Sequence, residues 1–292
     1  MRAHRSLVAM LILTLLSAGA AAAGQISHHA FPSEILDRDY AYNIYLPSDY
    51  ADSGFSYPVV YLLHGSFGSE HDWVGKGRLR RIADRMIRNG DIPPTIFVMP
   101  GSQSWWVDGY NEEARTAFFE ELIPHVDATW RTIAEREGRA IGGLSAGGYG
   151  TVNFVLEYPH MFAAAAALSP ASYEPLPPQL SSSHRHPAFM TPEGNFDPEL
   201  WLRLNYPEYL DDYKAQEYVV PMYISSGDRD ILDIERHASA LYRRLQAHQP
   251  DRVAFELFRG GHQWRVWRAS LPPALRFMAT YTSLPRKELA AD

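Results

Sequence analysis

From residue 58 onward the chain alternates short, unbroken apolar runs with helix-length stretches, and few folds accept that order. Pro58-Val59-Val60-Tyr61-Leu62-Leu63 stops at His64-Gly65, and Thr95-Ile96-Phe97-Val98-Met99 stops at Pro100-Gly101. Runs this short, apolar throughout and closed by turn residues predict strands buried on both faces. Further strands are expected at Arg139–Leu144, Phe162–Leu168, Tyr218–Ile224 and Arg252–Phe258. Helical patterns fall between them, near 78–89, 112–128, 146–157 and 233–247, with a last one from about 264. Strand and helix in strict turn imply a mostly parallel central sheet with helices on both faces, an α/β class. An earlier segment, Tyr40–Leu46, alternates polar and apolar residues and suits an edge strand.

The alternation breaks once. Between Ser169 and Val219 the chain is rich in Pro, Ser and His, with short helices expected near 197–203 and 206–213. Residues from about 170 to 217 therefore read as a lid or cap inserted into a single domain spanning 24–292. No internal repeat is present.

The first 23 residues have a different character. Arg2 and Arg5 precede an apolar run from Leu7 to Leu16, and small residues follow up to Ala21-Ala22-Ala23-Gly24. A charged head, a short apolar body and a small-residue cleavage site describe an export signal cut after Ala23. The apolar run is about ten residues, short of the ~20 that a spanning helix needs, so no membrane span is expected after removal. The product would be periplasmic or extracellular. Such a chain has no cysteine to form disulfides, and its stability must come from a large core, for which 46% hydrophobic residues suffice. A net charge of −7 argues against nucleic acid as a partner. The basic run Arg78-Leu79-Arg80-Arg81, continued by Arg85 and Arg88 at helical spacing, reads as a solvated helix face.

The chemistry-bearing motif is Gly143-Leu144-Ser145-Ala146-Gly147, placed where a predicted strand gives way to a predicted helix. A turn that tight leaves no room for flanking side chains, hence the glycines, and it lifts the serine above the carboxyl edge of the sheet. A serine hydroxyl needs a base, and the base needs a carboxylate to fix its tautomer. Two later segments end predicted strands in the order serine, acid, histidine: Ser225-Ser226-Gly227-Asp228-Arg229-Asp230, then Gly260-Gly261-His262. His262 is the candidate base. Asp228 and Asp230 compete as its acid, with Asp230 preferred and Asp228 read as the turn-former. The oxyanion hole is expected from the backbone N–H groups of Ser66, in the loop after Leu63, and of Ala146.

These segments together resemble the putative-esterase family of α/β-hydrolases, which includes feruloyl and acetyl-xylan esterases, S-formylglutathione hydrolase and mycolyltransferases of the antigen 85 type. The resemblance stands on Tyr61-Leu62-Leu63-His64-Gly65, Glu70-His71-Asp72-Trp73, Ser104-Trp105-Trp106-Val107-Asp108, the Ser145 elbow, Gly227 to Asp230, and Gly261-His262-Gln263-Trp264 through Trp267. It covers nearly the whole chain past the leader. It implies an α/β-hydrolase fold, Asp230 as the acid, Ser66 and Ala146 as oxyanion donors, and serine esterase activity without a cofactor on small or carbohydrate-linked esters. Acyl transfer by the same triad and a non-catalytic carbohydrate-binding protein are the rival readings. The chain departs from the family in two ways. Residue 146 is Ala where many members carry Met, and 172–212 matches no substrate-defining pattern. The export signal points away from the formylglutathione branch, whose thiol substrate is cytoplasmic.

Trp105, Trp106, Trp264 and Trp267 cluster in loops or helix starts beside the expected site, where they either stack on substrate rings or pack beneath the lid. Trp106 is the candidate wall of the acyl or alcohol pocket, and Phe67 and Tyr149, next to the oxyanion donors, are candidate cleft residues. Asp72 and Asp108 are expected to hold turns around the cleft. His28-His29 and His184-Arg185-His186 have no carboxylate or cysteine at a recognised metal-ligand spacing and read as surface histidines.

Overall fold

The computed structural model describes residues 23–287. Residues 1–22, on which the leader reading falls, lie outside that range. One eight-stranded sheet organises the chain: β1 Gln25–Ser33, β2 Arg38–Leu46, β3 Val59–Leu63, β4 Ile96–Pro100, β5 Arg139–Leu144, β6 Ala164–Leu168, β7 Met222–Gly227 and β8 Val253–Phe258. Their spatial order is β1-β2-β4-β3-β5-β6-β7-β8. The β1–β2 and β2–β4 pairs are antiparallel and all others parallel.

The parallel strands β3 to β6 are buried along their whole length, as unbroken apolar runs require. Helices Leu79–Arg88 and Trp264–Ala279 cover one face, and Ala146–Glu157 and Ile234–His248 cover the other. Each of the expected helices is present. The stretch near 112–128 runs from Ala114 to Thr129 with a π-turn over Phe118–Leu122.

Two strand expectations change. Tyr40–Leu46 is not at the edge, because β1 pairs with its outer side in register from Gln25↔Leu46 to Ser33↔Arg38. β1 itself has few apolar residues, and its ladder rather than its pattern makes it a strand. The segment Tyr218–Ile224 enters the sheet only at Met222. Pro221, which has no N–H to donate, still accepts from the Ala165 N–H at 2.8 Å.

The inserted stretch has two short helices, Pro198–Arg203 and Leu210–Ala215, and several 3₁₀ turns. It is docked on the helix that follows Ser145. The carbonyl of Leu204 accepts from Asn153 Nδ2 at 2.9 Å and from the Tyr149 hydroxyl, and Trp201 stacks on Tyr149 with ring centroids 5.2 Å apart. Glu174, at its start, pairs with Arg244 of Ile234–His248 at 2.6 Å. No helix among the described residues is long and apolar enough to cross a membrane.

Candidate active site

The parallel register brings the ends of five strands, β3, β5, β6, β7 and β8, nearly level. Leu63 pairs with Gly143, Leu144 with Leu168, Leu168 with Ser225, and Gly227 with Phe258. Whatever follows each strand therefore emerges along one edge, where open α/β sheets bind ligands. The segments that follow β3, β5, β7 and β8 are those carrying Ser66, Ser145, Asp230 and His262.

Ser145 sits between β5 and its helix with φ 55° and ψ −118°, a conformation an L-residue adopts only when its surroundings impose it. Those surroundings are backbone. A Cβ on Gly147 would stand 2.4 Å from the Leu63 carbonyl oxygen, and one on Gly143 would stand 2.3 Å from that of Gly147. The Ser145 N–H donates to the Leu168 carbonyl at 3.0 Å, and its own carbonyl accepts from Tyr149 and Ala171. The turn is locked from both sides.

The Ser145 hydroxyl lies 2.7 Å from His262 Nε2, and His262 Nδ1 lies 2.7 Å from Asp230 Oδ2. An ionised carboxylate only accepts, so Nδ1 carries the proton and Nε2 is free to accept from the serine. The Asp230 side chain has no exposed surface, and its other oxygen accepts the Leu232 N–H at 3.0 Å. Asp228 accepts the Gly260 N–H at 2.8 Å, joining the two loops that carry the acid and the histidine. That is the turn-forming part expected of it. Below the imidazole, Trp267 meets it edge-on at 5.0 Å and donates to Ser169 Oγ at 3.2 Å.

The loop after β3 is held from Leu63 to Ser66. Trp73 Nε1 donates to the Leu63 carbonyl at 3.0 Å, Trp106 Nε1 to that of His64 at 3.1 Å, and Trp105 Nε1 to Ser66 Oγ at 2.9 Å. The His64 ring donates from Nδ1 to the Gly65 carbonyl at 2.7 Å and accepts the Ser102 N–H at Nε2, 3.0 Å. Burial pushes the His64 pKa down, which keeps the ring in that neutral tautomer. The Ser66 side chain is thus an anchor for the Trp105 indole. His64 was legible only as part of a motif, and nothing in its pattern revealed the clamp. Ala146, across from this loop, opens its helix, so its N–H is among the four with no intrahelical acceptor.

A cleft of about 320 Å³ opens over Ser145. From the strand-end side it is lined by Ser66, Phe67, Trp105, His262, Trp264 and Trp267, and from the insertion by Tyr173, Leu180, Ser181, Ser182 and Arg185. Phe67 is 64% exposed and has a positive φ. Two aromatic expectations fail. Trp106 is fully buried and bonded to His64, with its Cβ filling the space that a side chain at Gly150 would need. Tyr149 is likewise buried and holds the insertion through Leu204. Both residues adjoin the site in sequence, but their rings point into packing, and neither lines the cleft.

Asp108 caps the turn before residues 114–117 by accepting the Thr116 N–H at 3.0 Å, and it pairs with Arg115 at 2.9 Å. Asp72 lines the cleft and pairs with Lys76 at 2.9 Å. One step of the metal reasoning is also corrected. His28 does gain a carboxylate neighbour, Glu70, which with His71 places three possible ligand atoms within 4.8 Å of one another. The partner comes from a distant loop, beyond the reach of spacing rules. None of the three lines the cleft, and His71 Nδ1 already accepts from Asn43 Nδ2 at 3.0 Å. His184 Nε2 donates to the Pro177 carbonyl at 3.0 Å, and His186, buried rather than at the surface, accepts the Ala188 N–H at Nδ1, 3.3 Å.

The sequence profile of the family described as "Putative esterase" matches residues 33–278. An endo-1,4-beta-xylanase/feruloyl esterase of Xylanibacter ruminicola is 35% identical over 162 residues, 52% of this chain and 22% of that protein. An esterase of Mycobacterium tuberculosis is 33% identical over 153 residues, 50% of this chain and 32% of its own length. The chain thus spans a third or less of these two relatives. An acetyl esterase of Caldicellulosiruptor saccharolyticus aligns almost end to end, 25% identical over 85% of this chain and 96% of its own. Among solved structures, a ferulic acid esterase superposes with a TM-score of 0.77 at 25% identity, covering 89% of this chain and 98% of its own. The chain has the α/β-hydrolase fold and belongs to the "Putative esterase" family.

Proposed function

We propose that this chain is an exported serine hydrolase of carboxylic esters. The observation that carries the reading is the continuous hydrogen-bonded row from Ser145 through His262 to buried Asp230, at 2.7 Å per step, under an open cleft. In the reaction, Ser145 Oγ attacks the ester carbonyl carbon while His262 Nε2 takes its proton. The carbonyl electron pair moves onto oxygen, where the N–H groups of Ser66 and Ala146 receive it. Collapse of this intermediate breaks the bond to the alcohol oxygen, which leaves with the proton from His262. Water then attacks the acyl-enzyme with His262 again as base, releasing the acid and restoring Ser145. Asp230 orients the imidazole and stabilises its charged form between the two transfers.

The cleft's rings, Phe67, Trp105, Trp264 and Trp267, suit flat aryl or sugar groups, and its serines suit hydroxyls. Acetyl or feruloyl esters, free or carbohydrate-linked, are the proposed substrates, in keeping with the names of the relatives. The first test is turnover of p-nitrophenyl acetate and butyrate by the wild type and by Ser145→Ala. A loss of at least about 10⁴-fold is expected. Turnover by the variant at the wild-type rate rejects the reading.

A further inference from the structure

We infer that the Ala23–Gly24 peptide bond is the one cut at export, and that the α-ammonium freed on Gly24 is captured by Asp84. The inference rests on the export reading of residues 1–23 and is independent of the ester chemistry. The small-residue run ends at Ala23, and β1 begins at Gln25, paired with Leu46. Ala23 is exposed, whereas Gly24 is buried.

The nitrogen of Gly24 already has its partner. It donates to Asp84 Oδ1 at 2.8 Å, and the same oxygen accepts the Tyr45 hydroxyl at 2.8 Å. Asp84 projects from helix Leu79–Arg88 with its side chain 12% exposed, and Arg80 approaches its other oxygen only to 3.8 Å. Around it runs a groove of about 730 Å³ lined by Arg78, Arg80, Arg81 and Arg88, in which Asp84 is the one acidic residue. A cation in this groove has a single place to be held. Any residue larger than glycine at position 24 would have to displace the Tyr45 ring. A Cβ there would stand 2.4 Å from three atoms of the Tyr45 phenol, and Tyr45 is buried.

Cleavage changes the chemistry of that contact. A peptidase adds water across the bond: the water oxygen joins the Ala23 carbonyl carbon, the C–N bond breaks, and the leader departs with the new carboxylate. Gly24 keeps the electron pair and takes protons to become an ammonium, with three donors where the amide had one. A hydrogen bond charged on the carboxylate side alone becomes an ion pair charged on both sides. The start of the edge strand β1 is then fastened to the helix beneath it by an ion pair that exists only in the processed chain.

The experiment begins with the full chain produced in an exporting host and read by intact mass and N-terminal sequencing. A chain starting at Gly24 is the expected result. A start at another residue overturns the assignment of the bond while leaving export intact, and a retained leader overturns both. Thermal unfolding is then compared for the chain starting at Gly24 and for one with Ala23 in front, each with and without Asp84→Asn. The substitution should lower the Tm of the Gly24 chain by about 2–4 °C more than that of the extended one. Equal losses overturn the ion pair. Reductive methylation at neutral pH supplies a readout that needs no variant: the Gly24 amine should react about tenfold more slowly than the exposed amine of the extended chain, and equal rates overturn the capture.

Discussion

The two walls of the cleft are built by different rules. One comes from strand ends: Ser66 after β3, Ser145 after β5, Asp230 after β7 and His262 after β8, all brought level by parallel register. The other comes from the insertion: Leu180, Ser181, Ser182 and Arg185, held by aromatic packing on Trp201 and by the bonds to the Leu204 carbonyl. The first wall has little freedom, since backbone contacts exclude a side chain at Gly147 and side-chain bonds clamp Leu63, His64 and Ser66 in the β3 loop. The second meets the cleft with Leu180, 67% exposed, and exposed Arg185, beside buried Ser181. Under the proposed reaction, the fixed wall carries the chemistry and the exposed one selects the substrate, so substitutions on the two walls should change different kinetic constants.

The strongest way to break this division is at the acid. Asp230→Asn retains the shape but offers the wrong partner to His262 Nδ1–H, and kcat should fall by about 10⁴-fold. Asp228→Asn keeps an oxygen for the Gly260 N–H and should leave kcat within about threefold of wild type, as expected for a lost charge on a turn rather than on the base. Steady-state kinetics on one aryl ester reads both. The reverse order of effects would exchange the two roles.

Next is the clamp. Trp106→Phe removes the indole N–H from the buried His64 carbonyl while leaving most of the ring in place. An unsatisfied buried carbonyl costs about 1–3 kcal/mol, readable from the urea midpoint. A loosened Ser66 N–H should lower kcat by about 10–100-fold with KM little changed. A rise in KM alone would return Trp106 to the pocket wall that its sequence position suggested.

The contrast between the walls also explains what was legible beforehand. Strand ends announce themselves, as an apolar run closing at a glycine-rich turn, so Ser145 and His262 stood out as candidates without coordinates, while the turn after β7 left Asp228 and Asp230 in competition. Ring direction was not legible. Trp105 and Trp106 are neighbours, yet backbone φ at Trp106 is 62°, and one indole reaches Ser66 at the cleft while the other is sealed beneath His64. β1 escaped notice because its residues, Gln25 to Ser33, are mostly polar and its strand character comes from pairing with β2. The insertion has no period for a pattern to reveal, because its residues pack on the elbow helix rather than on a repeating face.

A smaller effect is expected from the exposed wall. Leu180→Ala removes an apolar side chain from the rim without opening a cavity in the core. For a feruloyl or butyryl ester that covers it, kcat/KM should fall by about tenfold, in line with 1–2 kcal/mol of lost apolar burial. For an acetyl ester too short to reach it, kcat/KM should hold. Equal losses on both esters would mean that the insertion shapes the fixed wall as well.

The subtlest test lies where the walls meet. His186 belongs to the insertion, and its ring packs against Phe67 at 4.8 Å and Trp105 at 6.2 Å. Burial, the largest cause, depresses its pKa from 6.5 to about 4, with His64 adding to the shift and Glu112 opposing it. A base whose folded pKa lies below its unfolded value binds fewer protons when folded. Its full contribution to stability is therefore present above pH 6.5, and it is lost as pH falls from 6.5 toward 4 while the unfolded chain takes up the proton. Buried His64 acts in the same direction. His186→Asn supplies an oxygen for the Ala188 N–H without a titrating ring, so its urea midpoint should fall less steeply than that of the wild type between pH 6.5 and 4. Parallel slopes would mean that the ring titrates freely, and that the insertion opens at this contact far more readily than the strand-end wall does.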